Sequence, residues 1–525
     1  MSTTVERPNP ASAWTPKANP WLIACVVSLA AFMEVLDTSI ANVALPHIGG
    51  NLGASSDEST WVLTSYLVSN AIILPITGWL VSLIGRKRFF LICISLFTVS
   101  SLLCGIAPTL PFLLMARVIQ GIGGGGLQPM AQAILADTFP PSKRGLAFSV
   151  YGMTAIVAPA IGPTVGGWIT DSYTWRWIFL MNLPVGILAL FLVFTFVEDP
   201  PFLRRTTLHE SKIDYFGFGL LAVGVGFLQI VLDKGQEDDW FGSTFIVTLS
   251  IISVVSLVLL VLRELRIAQP ILDVRLFKNV NFATSSVMML MVGAASFSTT
   301  VLMPQYLQTL MGYTAESAGM VLSTAALILL VDLPIVGRLT AVIQARYLMA
   351  FGWAALTLAM FYSTQRIDLQ MSFASATWLR IAQYVPMGFI FIPATMVAYL
   401  GIPQEKSNSV AGLINFVRNI GASIGTSAVT TVLARRAQVH QLMLSNHTGL
   451  SDRVFQSTTR ALSGGGPVHA GTYARMYRTM QTQASTLSYI DTFWLLGIIT
   501  GIMFFLSFLL KKNHLHKADA QALAH

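Results

Sequence analysis

Residues 158–168 of the chain read Ala-Pro-Ala-Ile-Gly-Pro-Thr-Val-Gly-Gly-Trp. They lie inside an apolar run, near 145–170, that is long enough to cross the ~30 Å hydrocarbon core of a membrane. Yet the stretch contains two prolines and three glycines, the residues that weaken isolated helices most. In lipid such residues are tolerated where neighbouring helices satisfy the freed backbone groups. The stretch therefore predicts a bent transmembrane helix that is packed among others.

The composition extends this interpretation to the whole chain. Of the 525 residues, 54% are hydrophobic and only 11% are charged, whereas ordinary soluble domains have roughly 25% charged residues. Apolar runs of about 20 residues, the length of a transmembrane helix, recur from Trp21 to Leu510. Transmembrane β-strands would need short alternating segments instead. The sequence predicts an all-α integral membrane protein.

The apolar runs indicate about fourteen transmembrane helices. Their predicted positions are 21–44, 59–81, 89–107, 110–136, 145–170, 176–197, 214–232, 243–263, 282–304, 315–340, 347–363, 375–400, 407–433 and 487–510. We expect an N-terminal six-helix half over 21–197 and a C-terminal six-helix half over 282–510. An inserted helix pair with its flanking loops occupies 198–281.

A weak internal repeat supports the two halves. The sequence Arg-Val-Ile-Gln that begins at Arg117 resembles Arg-Ile-Ala-Gln beginning at Arg380, and Gly78 corresponds to Gly337. Parallel repeats are typical of transporters, in which the substrate binds between the halves near the middle of the membrane.

Lysine and arginine in the short loops predict the orientation. They fall on one side, which should be cytoplasmic: Arg86 to Arg88, Lys143 and Arg144, Arg204 and Arg205, Arg263 to Lys278, Arg338 and Arg346, Lys406, and Lys511 and Lys512. Both tails, 1–20 and 511–525, are then cytoplasmic. A long external loop is predicted over 434–486 despite its six arginines, because long loops translocate largely regardless of charge. The net charge of +8 therefore indicates membrane orientation rather than nucleic-acid binding.

Motifs of other protein classes are missing. There is no Gly-x-x-x-x-Gly-Lys-Ser/Thr loop, no His-Glu-x-x-His helix and no Gly-x-Ser-x-Gly elbow. The run Gly123–Gly126 lies within a span without a following lysine, which favours close helix packing. Cys25, Cys93 and Cys104 lack metal-ligand or disulfide spacing. We expect no enzyme activity, no catalytic residues, no metal site and no bound cofactor.

Charged residues within the spans are the candidate functional residues, because each is expensive in lipid. Glu34 and Asp37 lie three residues apart and so share one helix face. Asp37 and Arg117 each lie about seven residues from the external ends of their helices, roughly 10 Å deep at 1.5 Å per residue, so they could pair. The other charges placed deep in the spans are Asp332, Arg380 and Arg418.

Two interpretations of the acidic face remain open. In the first, Asp37 only neutralises Arg117 or caps backbone groups. In the second, the acids carry protons, because a low dielectric and a like-charged neighbour both favour the neutral carboxyl group. All eight histidines lie outside the span interiors, so Glu34 and Asp37 are the leading proton carriers, with Asp332 third. Arg418 is interpreted as a structural or gating hydrogen-bond donor rather than a substrate ligand.

The proline- and glycine-rich helix has a predicted mechanical role. Gly162, Gly166 and Gly167 offer a smooth face to a neighbouring helix. Pro159 and Pro163 each remove an amide donor and bend the helix. Such a helix lets two halves pack tightly and still rock apart, although an ordinary kinked helix remains an alternative.

Several stretches resemble the fourteen-helix drug:proton antiporters of the major facilitator superfamily. Residues 162–167, Gly-Pro-Thr-Val-Gly-Gly, resemble the fifth-helix antiporter motif of superfamily drug exporters. Residues 36–46 and 117–121 resemble the first-helix and fourth-helix motifs. Residues 175–186 and 415–425, which contain Asn415 and Arg418, resemble further stretches of EmrB-type multidrug exporters. The similarity extends from about Trp21 to Leu510.

The resemblance implies a major facilitator fold and efflux of lipophilic drugs or toxins across the bacterial inner membrane, driven by the proton gradient. It also implies a tripartite pump, with a periplasmic adaptor of the EmrA type and an outer-membrane channel of the TolC type. The cytoplasmic gate motif is present as Gly78, Gly85 and Arg86, but Ser82 stands where the family has an acidic residue. The usual charge latch therefore lacks that acid, and polar contacts of Arg86 are expected.

We accordingly expect alternating access by rocking of the halves, with protonation of Asp37, helped by Glu34, favouring the state that accepts drug from inside. The alternative is an exporter of the same fold for one lipid, siderophore or metabolite. A non-transporting sensor and a membrane-embedded enzyme are less favoured by the residues present.

Overall fold

The computed structural model describes residues 16–201, 214–267, 270–446, 448, 453–463 and 469–510. Over these residues the secondary structure is helical, and no strand is formed. The predicted tails 1–20 and 511–525 lie almost wholly outside the described residues, as does most of the loop before the inserted pair.

The N-terminal half consists of long apolar helices, three of them interrupted. Its helices are α1 (Pro20–Leu52), α2 (Ser56–Ile84), α3 (Arg86–Gly105), α4 (Leu110–Gly124), α5 (Leu127–Thr138), α6 (Arg144–Gly152), α7 (Ala158–Ser172), α8 (Trp177–Leu180) and α9 (Asn182–Phe196). A π-helical turn, Met153–Val157, joins α6 to α7. The pairs α4–α5, α6–α7 and α8–α9 each make one span.

The inserted pair consists of α10 (Tyr215–Lys234) and α11 (Thr244–Arg266). The helix α10 packs against α2, α11 and, in the other half, α16 (Ser407–Ser445). Asp214 caps the start of α10 and accepts two hydrogen bonds of 2.8 Å from Arg263 near the end of α11. These hydrogen bonds hold the pKa of Asp214 below its usual range.

The C-terminal half contains the remaining helices. They are α12 (Val280–Thr309), α13 (Ala315–Val342), α14 (Ala345–Arg366), α15 (Phe373–Ala398), α16 (Ser407–Ser445), α17 (Arg453–Leu462) and α18 (Ala470–Leu506). The two halves meet along a seam, where α6, the π-turn and α7 pack on α13, α2 and α5 pack on α16, and α6 packs on α15.

The predicted number of spans is confirmed. Among the described residues, thirteen helices are long and apolar enough to cross a membrane. The fourteenth long helix is α16, which is more polar than the others. It packs between α2 of the first half and α12 and α18 of its own half, so its polar side chains find protein partners instead of lipid.

The prediction of a loop over 434–486 is wrong for most of that segment. The helix α16 continues to Ser445, α17 occupies Arg453–Leu462, and α18 begins at Ala470. At 1.5 Å per residue α16 is about 58 Å long, well beyond the ~30 Å of a hydrocarbon core. The apolar runs end there, which favoured a loop; the six arginines lie on α16, α17 and α18.

The proline- and glycine-rich stretch lies against α1, as its small residues predict. A Cβ atom at Gly162 would lie 2.5 Å from the Cβ of Ser39, and one at Gly166 would lie 3.0 Å from Ile40. The Ser39 hydroxyl donates at 2.8 Å to the Pro159 carbonyl, one of the backbone groups near the bend. A Cβ at Gly167 would meet no atom within 4 Å, so this glycine does not contribute to the close approach.

This difference makes a matched pair of variants informative. Gly162→Ala is expected to push α7 from α1 and to lower both the melting temperature and the transport rate, because its Cβ overlaps Ser39. Gly167→Ala adds the same methyl group in open space and should change neither by much. The two melting temperatures in detergent test this, and equal values would contradict the packing described here.

Candidate functional site

A buried ion pair lies at the centre of the N-terminal half. Arg117 on α4 donates through Nη1 to Asp37 Oδ2 on α1 at 2.7 Å, and both side chains are almost completely buried. The predicted pairing of these two residues is therefore confirmed. Arg117 also donates to the Val62 carbonyl at 3.0 Å and lies over the rings of Tyr66 and Phe179. All of these partners belong to the same half.

Neutral side chains complete the surroundings of Asp37. Its Oδ1 accepts hydrogen bonds from Gln120 at 3.1 Å and from Asn182 at 2.6 Å. Gln120 also donates to Ser101 at 2.7 Å. Asp37 therefore accepts from three donors, one of them the guanidinium of Arg117. Sequence reasoning missed Asn182, whose only signal was its place at the start of an apolar helix.

Glu34 lies one turn from Asp37 and has a different set of partners. Its Oε1 accepts from the Tyr66 hydroxyl at 2.8 Å and from Asn70 at 3.1 Å, and its Oε2 accepts from Gln128 at 2.6 Å. The side chain is buried, and no described residue forms an ion pair with it at 4 Å or less. Glu34 is therefore a buried acid that is held by neutral donors.

The partners of Glu34 reach the other half of the protein. Gln128 accepts a hydrogen bond from Arg418 on α16, and Asn70 accepts one from Asn419 at 3.4 Å. A single side chain, that of Gln128, therefore links Glu34 to Arg418 of the other half. The interpretation of Arg418 as a hydrogen-bond donor agrees with this position.

Asn415 provides a second connection between the halves. It accepts from the Tyr151 hydroxyl at 2.8 Å and donates to Gln132 at 2.5 Å. The same hydroxyl oxygen lies 3.4 Å from the side-chain oxygen of Gln128. The polar residues that sequence reasoning placed in the second half therefore contact the first half directly, and Gln128 is the residue where the two sets of contacts meet.

Charged residues also join the halves at one end of the bundle, which we call the basic end and define by Arg86, Arg144 and Lys406. Arg86 donates to Asp137 at 2.5 Å and to Asn408 on α16 at 3.2 Å. Asp137 also accepts from Ser407 at 2.8 Å. The basic end is closed in this structure.

The carboxylate that contacts Arg86 does not come from the loop motif that contains Ser82. The Ser82 hydroxyl donates to the Trp79 carbonyl of its own helix, whereas Asp137 of α5 supplies the carboxylate to Arg86. Gly85 adopts a φ of 90°, a conformation that favours glycine, and so lets α2 turn directly into α3. A Cβ at Gly78 would lie 2.8 Å from the Ser409 backbone, so this glycine allows α2 to approach α16.

Asp332 is not part of either cluster. It is half-buried on α13, and a Cβ placed on Gly388 of α15 would lie 2.5 Å from its Oδ2. Its Oδ2 has no hydrogen-bond partner. None of the contacts of the described residues joins Asp332 to Glu34, Asp37 or Arg117, so the structure separates the third predicted acid from the first two.

Two similar helical halves with acids at their seam define a secondary-transporter architecture, and comparison with known proteins gives the family. The model for the Major Facilitator Superfamily matches residues 27–426. Multidrug export protein EmrB of Escherichia coli (strain K12) is 35% identical over 488 residues, covering 92% of this chain and 94% of that protein. Fatty acid resistance protein FarB of Neisseria gonorrhoeae is 35% identical over 437 residues, covering 83% and 85%. The chain therefore belongs to the major facilitator superfamily.

Solved structures agree on the fold. The proton:xylose symporter XylE matches with a TM-score of 0.61 at 15% identity, covering 94% of this chain and 96% of that chain. The human organic anion transporter MFSD10 matches with a TM-score of 0.57 at 12% identity, covering 94% and 100%. The predicted fold and the resemblance to EmrB-type exporters are both confirmed.

Proposed function

We propose that this protein exports lipophilic small molecules across the bacterial inner membrane in exchange for protons. The observation that carries the proposal is the position of Glu34, a buried acid that is linked through Gln128 to Arg418 of the other half. The printed names of two relatives, a multidrug export protein and a fatty acid resistance protein, support this class of substrate.

Glu34 is the group whose protonation reaches the seam. While Glu34 is charged, Gln128 donates to an anion on one side and accepts from the Arg418 cation on the other, so both hydrogen bonds are charge-assisted. Protonation removes the negative charge and weakens the chain of contacts that holds the halves together there. A proton thus biases the equilibrium between two arrangements of the halves, which is what coupling requires.

Asp37 has a different role in this scheme. Asp37 is held by the Arg117 cation and two neutral donors, whereas Glu34 is held by neutral donors alone. We propose that Asp37 keeps Arg117 neutralised and α1 in place beside α4, and that it exchanges a proton only when rocking of the halves loosens its contacts. This assignment makes Glu34 rather than Asp37 the first proton acceptor.

The basic end is assigned to the cytoplasm, since short cytoplasmic loops carry the excess of lysine and arginine. Both termini then lie inside. In this scheme the contacts of Arg86 with Asn408 and of Asp137 with Ser407 hold the halves together at their cytoplasmic end. Opening of these contacts admits the drug from the cytoplasm or the inner leaflet.

The proton gradient is large enough for this work. A charge that crosses 100 mV yields about 2.3 kcal/mol, and one pH unit adds about 1.4 kcal/mol. One proton per neutral drug therefore sustains a concentration ratio of a few hundred-fold. No bound cofactor is needed for this exchange.

The extensions of α16 and α18 are proposed as the docking site for a periplasmic adaptor of the EmrA type, which would connect to an outer-membrane channel of the TolC type. Arg436 and His440 of α16 both contact Asp491 of α18, at 2.6 and 2.7 Å, and hold the two helices side by side. Beyond this contact Gln441 and Gln481 lie in a cleft between them. This polar cleft supports a contact with protein rather than lipid.

Proton release on drug binding tests the proposal. Purified protein in weakly buffered detergent, mixed with the lipophilic cation tetraphenylphosphonium, is expected to release protons in a saturable way, because drug and proton bias the halves in opposite directions. Glu34→Gln should release none. Exposed Glu405→Gln is the matched control and should behave as the native protein. Equal release by all three proteins would refute the coupling scheme.

A further inference from the structure

The C-terminal half repeats the surroundings of Arg117 around Arg380. Arg380 on α15 donates to Gln383 at 3.2 Å, and Gln383 donates to Ser363 on α14 at 3.0 Å. The first half has the same chain of three residue types, formed by Arg117, Gln120 and Ser101. Both arginines are completely buried and lie over a tyrosine ring.

The repeat differs at one position. In the first half the arginine donates at 2.7 Å to Asp37, 80 residues earlier in the chain. In the second half Arg380 donates at 2.8 Å to Thr300, also 80 residues earlier. Thr300 therefore occupies the place of Asp37 but brings a hydroxyl instead of a carboxylate.

Arg380 consequently lacks an anion. None of the ion pairs of the described residues includes it, and its Nε, which corresponds to the Arg117 atom that donates to the Val62 carbonyl, has no partner. The ring of Tyr384 lies 3.9 Å from its guanidinium carbon, but a ring face neutralises a cation only in part. A buried charge of this kind is costly unless an anion joins it.

The partial exposure of Thr300 gives a ligand access to Arg380. Thr300 is partly exposed, and its hydroxyl joins Arg380 to the hydroxyl of Tyr384 at 2.9 Å. One turn earlier on α12, Ser296 donates at 3.5 Å to the thioether of Met387, a flexible apolar side chain. A ligand that displaced the Thr300 hydroxyl would place its anionic group on Arg380 and its apolar part beside Met387.

We propose that Arg380, with Thr300 and Tyr384, binds the carboxylate of lipophilic acids that the protein exports. The guanidinium fork matches a carboxylate in geometry as well as charge. The inference rests on the proposed export function and narrows its substrate class. The carboxylate of the substrate would pair with Arg380 as the carboxylate of Asp37 pairs with Arg117.

Two variants test the site in different ways. Arg380→Gln removes the cation, and Thr300→Asp provides a resident carboxylate in the arrangement of the first half. Both are expected to lower the affinity for dodecanoate at least tenfold while affinity for neutral dodecanamide stays within twofold. Thr300→Asn, of similar size but uncharged, should retain dodecanoate binding within threefold. The measurement is equilibrium binding to the full chain in nanodiscs, corrected by empty nanodiscs.

Thr300→Asp keeps the test meaningful if Arg380→Gln does not fold, because it pairs the arginine instead of removing it. Dodecanoate affinity within twofold of native in Thr300→Asp, or no preference of the native protein for dodecanoate over its amide, would overturn the proposal. Proton release by tetraphenylphosphonium, measured on the same preparations, reports on the export function separately. It should persist in Thr300→Asp, whereas its absence from the native protein would refute the export function and not the anion site.

Discussion

Asparagine in place of Asp37 is expected to abolish proton-coupled export and to destabilise the protein. The substitution leaves Arg117 buried without a counter-charge, and breaking a buried pair from one side typically costs about 3–5 kcal/mol. The hydrogen bonds from Gln120 and Asn182 also lose their charged acceptor. Export of a fluorescent lipophilic dye from everted vesicles and the melting temperature of the purified protein measure the two effects.

A double variant separates two consequences of Asp37→Asn: the unpaired charge of Arg117 and the missing carboxyl group. Asp37→Asn combined with Arg117→Gln removes both charges and is expected to recover most of the membrane level and melting temperature. Export should remain absent, because α1 and α4 are no longer held in register and the second acid is missing. Native export by the double variant would show that the pair has no part in transport.

Glutamine in place of Glu34 is also expected to abolish proton-coupled export. Unlike Asp37→Asn, it should leave the stability of the protein nearly unchanged. Glutamine is nearly isosteric, and its oxygen can still accept from Tyr66 and Asn70, so the fold should be retained. The rate of gradient-driven export should fall at least a hundredfold, because no titrating group remains beside Gln128. Downhill exchange of dye across vesicles should continue.

Gln128→Ala distinguishes the proton site from the contact that transmits its charge. This variant keeps the Glu34 carboxyl group but removes its link to Arg418, so drug-induced proton release and gradient-driven export should both fall while the infrared carboxyl band of Glu34 remains. If Glu34→Gln retained coupled export, Glu34 would be excluded as the coupling group.

Much of this arrangement follows from the sequence because membrane helices obey few rules. Span length, the spacing of Glu34 and Asp37 and the similar depth of Asp37 and Arg117 were sufficient to predict fourteen helices and one buried pair. The cost of an unpaired charge in lipid leaves few partners to choose from. Small residues in α7 likewise predicted close contact with another helix, which the structure shows to be α1.

The sequence did not predict which helices face each other across the seam. Gln128, Tyr151 and Asn70 are neutral residues in apolar runs, and their importance comes from the rotation of each helix, which tertiary packing determines. For the same reason Asp137 could not be recognised as the acid that pairs with Arg86. Asp332 was ranked third by depth alone, and packing separates it from the other acids.

The segment 434–486 was mispredicted for a different reason. Span prediction relies on apolarity, which ends where a helix leaves the hydrocarbon core, whereas the hydrogen bonds of α16 continue to Ser445. Polar composition was therefore mistaken for a loop. The contact of Arg436 with Asp491 joins α16 to α18, so each of these long helices stabilises the other.

The most direct test of the account is dye transport by the purified protein in liposomes under an imposed pH gradient, with the membrane potential clamped. We expect uphill dye movement that stops when an ionophore collapses the gradient and that is absent with Glu34→Gln. Uphill movement that persists after the collapse, or that is unchanged in Glu34→Gln, would contradict the claim that a buried acid at the seam couples protons to export.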